Sequence, residues 1–225
     1  MRDSLYYAAL DSDLNLVKKL LEKEANPNGE DEQVPLIAAV SIANYDKVSE
    51  KTVLEIVKTL VEAGADVNQI ETDSFYYPLL VALDNRLHDV SLYLIEQGAC
   101  YDGNRMWDTL VEVHGDDYEE DQLYALEEEL CPQWHPAEVA INAGYIDILK
   151  ILISNWKEAT SLLTVAVKKN SIEIVKYLLS LKSVDVLKAN PMTGETILDF
   201  IEKDDFYDIS SEIVELIKEA VKSKR

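Results

Sequence analysis

Four residues of this chain carry the atoms that zinc prefers: Cys100, His114, Cys131 and His135 together supply two thiols and two imidazoles. Their spacing argues against a site. Thirteen residues intervene between Cys100 and His114 and sixteen between His114 and Cys131, whereas structural zinc sites draw their ligands from close pairs. Packing of the two cysteines at helix ends explains them as simply. A second cluster, Asp116, Asp117, Glu119, Glu120 and Asp121 followed by Glu127, Glu128 and Glu129, offers eight carboxylates with no cation among them. It lacks the glycine and the alternating spacing of an EF-hand loop, which leaves a docking surface for a basic protein or a merely solvated helix face. A Gly-rich phosphate loop, a Gly-x-Ser-x-Gly elbow and a His-Glu-x-x-His helix are all missing. Among 43 acidic residues a close carboxylate pair is nearly guaranteed and carries no weight. The expectation is a non-enzyme with no catalytic residues, no metal ligands and no cofactor.

Charge narrows the partners. With 21 Lys+Arg against 43 Asp+Glu, the chain carries a formal net charge of −22, which repels phosphate backbones and anionic membranes. Direct nucleic-acid and membrane binding are disfavoured. The excess acid either keeps the protein in solution or matches a basic protein partner. Two cysteines in 225 residues make no disulfide framework, so a reducing compartment is the default. The N-terminal apolar run is broken by Asp11 and Asp13, unlike a secretory signal, and nowhere do about 18 apolar residues run unbroken. The expected location is the cytoplasm, with delivery into another cell through other signals left open.

Chemistry without catalysis leaves binding, and the aromatics point there. Phe75, Tyr76 and Tyr77 follow "NQIETDS"; Tyr101, Arg105, Met106 and Trp107 follow the next helical pattern; Trp134 comes later. Tyr, Trp, Arg and Met dominate binding hot spots because they give large contact areas for modest entropy loss. Packing between a loop and its helix is the competing explanation for each.

These residues need elements to hold them, and the elements repeat. "NLVKKLLEKEANPN" from Asn15 recurs as "EIVKTLVEAGADVN" from Glu55 and "DVSLYLIEQGACYD" from Asp89, then as "DILKILIS" from Asp147, "EIVKYLLS" from Glu173 and "EIVELIKE" from Glu212. Each copy puts apolar residues at i, i+1, i+4 and i+5, one face of a helix, as in Ile56/Val57/Leu60/Val61. Ser91 interrupts the third copy, and Lys218 breaks the last, as suits a terminal helix with one side in water. Before the copies lie shorter segments with Pro35, Pro78 and Pro136 at the first helical position. Ala8, Ala39, Ala82, Ala140 and Ala166 in those segments allow close helix approach. The glycines fall at the turns this scheme requires, Gly64 and Gly98 after longer helices and Gly144 between paired ones.

The phrases "PLIAAV", "NAGYIDILKILI" and "EIVKTLVEAGADVN" resemble the ankyrin repeat, over residues 3 to 222 and most strongly over 34 to 100 and 135 to 180. The resemblance implies an all-α fold, an ankyrin-repeat α-solenoid of six or seven helix-turn-helix units, some degenerate. The approximate units are 3–33, 34–73, 74–103, 104–133, 134–157, 158–190 and 191–225, in one domain covering 1–225. The family's Thr-Pro-Leu-His opening survives only in part, as Val34-Pro35-Leu36-Ile37, Tyr77-Pro78-Leu79-Leu80 and Thr196-Ile197-Leu198-Asp199. Its Thr-to-His hydrogen bonds are mostly unavailable. From Leu16 through Ile56, Val90, Ile148 and Ile174 to Ile213 the steps are 40, 34, 58, 26 and 39 residues. The 58-residue step hides a degenerate unit near 104–131, the 40-residue step an insertion over Ser41 to Thr52, and the 26-residue step a hairpin cut short near Asn155. Asp3 to Leu10 caps the front and a helix from about Tyr207 to Lys222 the back.

In ankyrin proteins hairpin tips and inner helices form a concave binding surface. The resemblance therefore implies a protein-binding face made by Asp31, Glu32, Glu71, Asp73, Phe75, Tyr76, Tyr101, Arg105 and Trp107, with Asp116 and Asp117 beside it. The expected activity is that of a monomeric inhibitor, immunity protein or effector that grips a protein partner, a basic one by the charge argument. A self-associating assembly protein is the alternative, and an enzyme sited in the irregular region 104–135 a more remote one.

Overall fold

The proline-led segments and the apolar repeats both become helices. The computed structural model describes residues 4–30, 33–41, 48–71, 76–101, 135–154, 159–189, 194–203 and 208–224. Among them stand twelve α-helices: α1 Leu5–Leu10, α2 Leu14–Leu21, α3 Pro35–Val40, α4 Glu50–Glu62, α5 Pro78–Asp84, α6 His88–Glu96, α7 Pro136–Ala143, α8 Ile146–Leu152, α9 Thr160–Lys168, α10 Ile172–Ser180, α11 Ile197–Lys203 and α12 Ser211–Lys224. The only β pairing among the described residues is an isolated bridge between Glu30 and Gln33. The fold is all-α, and its helices pack as sequential pairs. The degenerate unit expected near 104–131, its acidic run, and most of the insertion after Ser41 lie outside the described residues.

The chain divides into two compact units, residues 1–136 and 137–225. In the first, α1 packs on α2 and α3, α3 on α4 and α5, and α5 on α6, while α2, α4 and α6 pack in a second row. In the second, α9 packs on α10, and α12 on both α10 and α11. Helices α3 and α5 are apolar all round and, except for Asp84, buried all round; a helix of this composition belongs in a core. The longer helices bury one stripe: Val53, Ile56, Val57 and Leu60 in α4, Val90 and Leu94 in α6, Ile174, Val175 and Leu178 in α10. Of the i+5 residues, Leu21, Val61, Ile95 and Leu179 are only partly covered, while Ile153 is buried. At about 100° per residue the i, i+4 and i+1 positions span a narrow arc, and i+5 falls at its edge. Ser91, which interrupts the pattern, is nonetheless fully buried, its hydroxyl donating to the Leu87 carbonyl at 2.6 Å. The last helix starts at Ser211, later than the sequence suggests, and buries Ile213, Ile217 and Val221.

One turn joins the helices within a pair. Ser12, Arg86, Gly144 and Asn170 all adopt positive φ, 56°, 59°, 83° and 55°. The next residue's N–H reaches back to the carbonyls of Ala8, Ala82, Ala140 and Ala166, at 3.0, 2.8, 2.9 and 3.1 Å. This closure supplies partners for carbonyls that a helix end leaves open. Only one of the four positions is glycine, so the glycine pattern reveals a quarter of a general rule. Beyond the longer helices Glu24, Gly64 and Gly98 repeat the geometry, with Ala25, Ala65 and Ala99 donating to Leu20, Leu60 and Leu94.

Asparagines then tie successive loops together. Asn28 Oδ1 accepts from the Asp66 N–H at 2.6 Å while its Nδ2 donates to the Gly64 carbonyl at 3.5 Å. One unit on, Asn68 Oδ1 accepts from the Cys100 N–H at 2.6 Å and its Nδ2 donates to the Gly98 carbonyl at 3.3 Å. Within each loop Asn26 and Asp66 accept from the N–H two residues ahead, an Asx turn that presents the rung. In the second unit Asp185 makes the same Asx turn with Leu187, but its N–H is met by the Thr160 hydroxyl at 2.9 Å, from the start of α9. Here a threonine on α9, the helix before α10, holds the place that asparagine takes in the first unit. Thr196 and Asp199 bond to each other: the Thr196 hydroxyl and N–H donate to Asp199 Oδ2 at 2.7 and 2.9 Å, and the Asp199 N–H donates back at 3.2 Å. This reciprocal pair caps α11 and holds the Asp199 carboxyl below the usual carboxylate range, the Thr196 hydroxyl contributing most.

Candidate functional site

Two of the loops between one helix pair and the next have pinned bases. The Gln33 N–H donates to the Glu30 carbonyl at 3.2 Å, bracketing Asp31 and Glu32. The Glu71 N–H donates to the Tyr76 carbonyl at 2.8 Å and brackets Asp73 and Phe75 in the same way. Glu71 and Tyr76, two residues expected to bind a partner, are therefore held side by side at the neck of one loop. Tyr101 stands on the following loop, beside Cys100, whose N–H is fixed by Asn68. Asp31, Glu32, Asp73, Phe75, Arg105, Trp107, Asp116 and Asp117 lie outside the described residues, as do Met106 and Trp134.

The structure adds two residues that sequence reasoning assigned only to a cap. Tyr6 and Tyr7 on α1 meet edge to face, ring centroids 5.3 Å apart and planes at 87°. Ser4 caps this helix by accepting from the Tyr7 N–H, and burial of Leu5, Ala8 and Ala9 fixes which side faces the core. Tyr6 feels Glu71: burial raises its phenol pKa first, the Glu71 charge next, and Tyr7 last. Tyr6 on α1 thus senses the charge of Glu71 at the neck of the loop between α4 and α5. Tyr6, Tyr7, Glu71 and Tyr76 are all half-buried. The signal in the sequence was the twin tyrosine of "LYYAAL", where α3 and α5 carry only Leu, Ile, Val and Ala beyond their first residue and before any terminal acid.

Tyr77 behaves differently from its neighbour. It is buried at the start of α5, and burial pushes its phenol far above the usual range, with Cys100 adding to the effect. Tyr77 is core. No group of three or more His, Cys, Asp or Glu side chains able to hold a metal occurs among the described residues; His114 and Cys131 of the hypothetical zinc set lie outside them. No described helix is long and apolar enough to cross a membrane.

Comparison with known proteins places this arrangement. A chain in the solved structure of the Bd0816 predatory endopeptidase from Bdellovibrio bacteriovorus in complex with immunity protein Bd3460 matches with a TM-score of 0.62. The match covers 99% of this chain and 98% of that one, at 18% identity. The matched chain is the immunity protein. At that identity the likeness establishes a shared fold. No family model matches the sequence, and no curated protein does.

Proposed function

We propose that this chain is a non-catalytic binding module, an ankyrin-type α-solenoid forming one array over 1–225, which grips a protein partner and inhibits it as an immunity protein does. The observation that carries the reading is the near-complete overlap, in both directions, with an immunity protein whose solved structure is a complex with a peptidase. The pairwise packing of α1 to α6 and the recurring Asn28 and Asn68 rungs support the repeat assignment. The net charge of −22 favours a basic partner, since complementary charge raises the association rate and disfavours wrong partners. The partner-facing residues are Asp31, Glu32, Glu71, Asp73, Phe75, Tyr76, Tyr101, Arg105, Trp107, Asp116 and Asp117, now joined by Tyr6 and Tyr7. The protein acts in the cytoplasm as a monomer.

The test is to immobilise the purified chain, retain its partner from a lysate of the source cells, and assay the purified partner with and without an equimolar amount of this protein. A one-to-one complex with stoichiometric loss of the partner's activity supports the proposal. A stable homo-oligomer by light scattering that retains nothing overturns it.

A further inference from the structure

The fold requires Asn28 and Gly29 for separate reasons. Asn28 is the rung of the loop after α2: its Oδ1 accepts the Asp66 N–H at 2.6 Å and its Nδ2 donates to the Gly64 carbonyl at 3.5 Å. Gly29 adopts φ 81°, and an added Cβ would strike the Gln33 carbonyl oxygen, so a side chain is excluded there. The two demands together write Asn-Gly, a dipeptide that occurs once in the chain. Asn68 does the same work in the loop after α4 but is followed by Gln69. Asn170, which donates to the Asp208 carbonyl and accepts the Ser210 N–H, is followed by Ser171.

An asparagine amide is thermolabile because the next backbone nitrogen can attack it, and a following glycine, with no Cβ to obstruct the approach, reacts most readily. We propose that Asn28 is a site of spontaneous covalent modification, gated by its own hydrogen bonds. The Gly29 nitrogen gives its proton to hydroxide and bonds to Asn28 Cγ; the Cγ–Nδ2 bond breaks, ammonia leaves, and a succinimide ring remains. One water then opens the ring at either carbonyl, to aspartate or isoaspartate. In sum, amide and water become carboxylic acid and ammonia, with no change of oxidation state.

In the closed loop both reacting groups are occupied. The Gly29 N–H donates to the Asn26 carbonyl at 3.0 Å, and the Asn28 amide is held by Asp66 and Gly64. Opening these three bonds first slows the reaction about ten- to thousandfold relative to the unfolded chain. Isoaspartate routes the backbone through Cγ. The acceptor of the Asp66 N–H becomes a main-chain oxygen, the donor to Gly64 is gone, and the Asn28 carbonyl that accepts from Gln69 Nε2 at 3.0 Å becomes a free carboxylate. The product unties the loop after α2 from the loop after α4, and the loss of ammonia makes the change one-way. This inference stands independently of the binding function.

The test incubates the full chain in mildly alkaline buffer, folded and in parallel in urea, until isoaspartate appears, and locates it by peptide mapping. Asn68 is tied as Asn28 is, so a difference between them reports Gly29. Asn28 should convert ahead of Asn68 and Asn170 in both samples, and about ten- to thousandfold more slowly in the folded one. Folded chains with isoaspartate at Asn28, separated by the negative charge they gain, should exchange the Asp66 amide about fivefold faster than unmodified chains, with the Ser210 amide unchanged. A folded chain whose Asn28 amide outlasts those of Asn68 and Asn170 overturns the proposal. So do equal rates with and without urea, or equal Asp66 exchange in modified and unmodified chains.

Discussion

Asn28 Oδ1 accepts the Asp66 N–H at 2.6 Å, and Asp66 Oδ1 in turn accepts the Asn68 N–H at 2.9 Å, so one loop sets the position of the next. Asn68 passes the relation on to Cys100. Removing either asparagine deletes two inter-loop bonds, each worth about 0.5–1.5 kcal/mol net. Asn28→Ala and Asn68→Ala should each destabilise by about 1–2 kcal/mol in urea unfolding. Because Asp66 connects them, the double variant should lose less than the sum of the singles; strict additivity would show the rungs to be independent.

The turns make opposite predictions for two substitutions. Glu24 adopts φ 63° although it carries a side chain, a strain of about 1 kcal/mol, so Glu24→Gly should stabilise by up to about 1 kcal/mol. Gly29 has φ 81°, and an added Cβ would overlap the Gln33 carbonyl oxygen and sit 2.8 Å from Pro35 Cδ. Gly29→Ala should therefore destabilise by more than about 1 kcal/mol. Gly98, with φ 88° and nothing within 4 Å of an added Cβ, should be the milder alanine variant. Equal thermal shifts at Gly29 and Gly98 would contradict the steric account.

Helix α6 borrows its cap. Leu87 cannot accept from the helix start, and Glu50 Oε1 on α4 takes the Asp89 and Val90 N–H groups at 2.7 and 3.3 Å instead. A negative oxygen there also suits the positive end of the helix dipole. Glu50→Ala should cost about 1 kcal/mol and speed amide exchange at Asp89 and Val90. Glu50→Gln, which keeps an acceptor, should cost less. Unaltered exchange in the alanine variant would show that water caps α6 equally well.

Glu138 on α7 gives a pH signature. Burial raises its carboxyl pKa, and Lys168 opposes this only in part. A raised acid favours its protonated form in the fold, so the associated stability is present below the ordinary glutamate range and is lost as pH rises through the elevated value. Glu138→Gln removes the group that titrates. The variant should melt higher than the parent at pH 7, and the difference should shrink or vanish near pH 3. A pH-independent difference would mean that packing governs the effect.

Local patterns in the sequence explain much of the architecture and little of the site. Pro35, Pro78 and Pro136 announce helix starts because their chemistry is local, and the apolar triplets of α4, α6 and α10 declare their buried side. Turns closed by Ser12, Arg86 and Asn170 escape a search for glycine, since three different side chains accept one backbone shape. The asparagine rungs are invisible because the partner is a backbone N–H on another loop, which no residue type marks. At the site, Glu71 and Tyr76 are legible as loop residues, but Tyr6 lies on α1, far away in sequence, and feels the Glu71 charge only in the folded chain, where α1 packs on α3 and α3 on α5.

The Thr160 hydroxyl that meets Asp185 carries a wider implication for how such chains change over generations. A loop can lose its bridging amide, along with several flanking residues, provided one hydroxyl on a neighbouring helix arrives at the same N–H. Segment length then becomes adjustable from one copy to the next, and the repertoire of projecting loops can be lengthened, trimmed or erased without unstitching the scaffold that carries them.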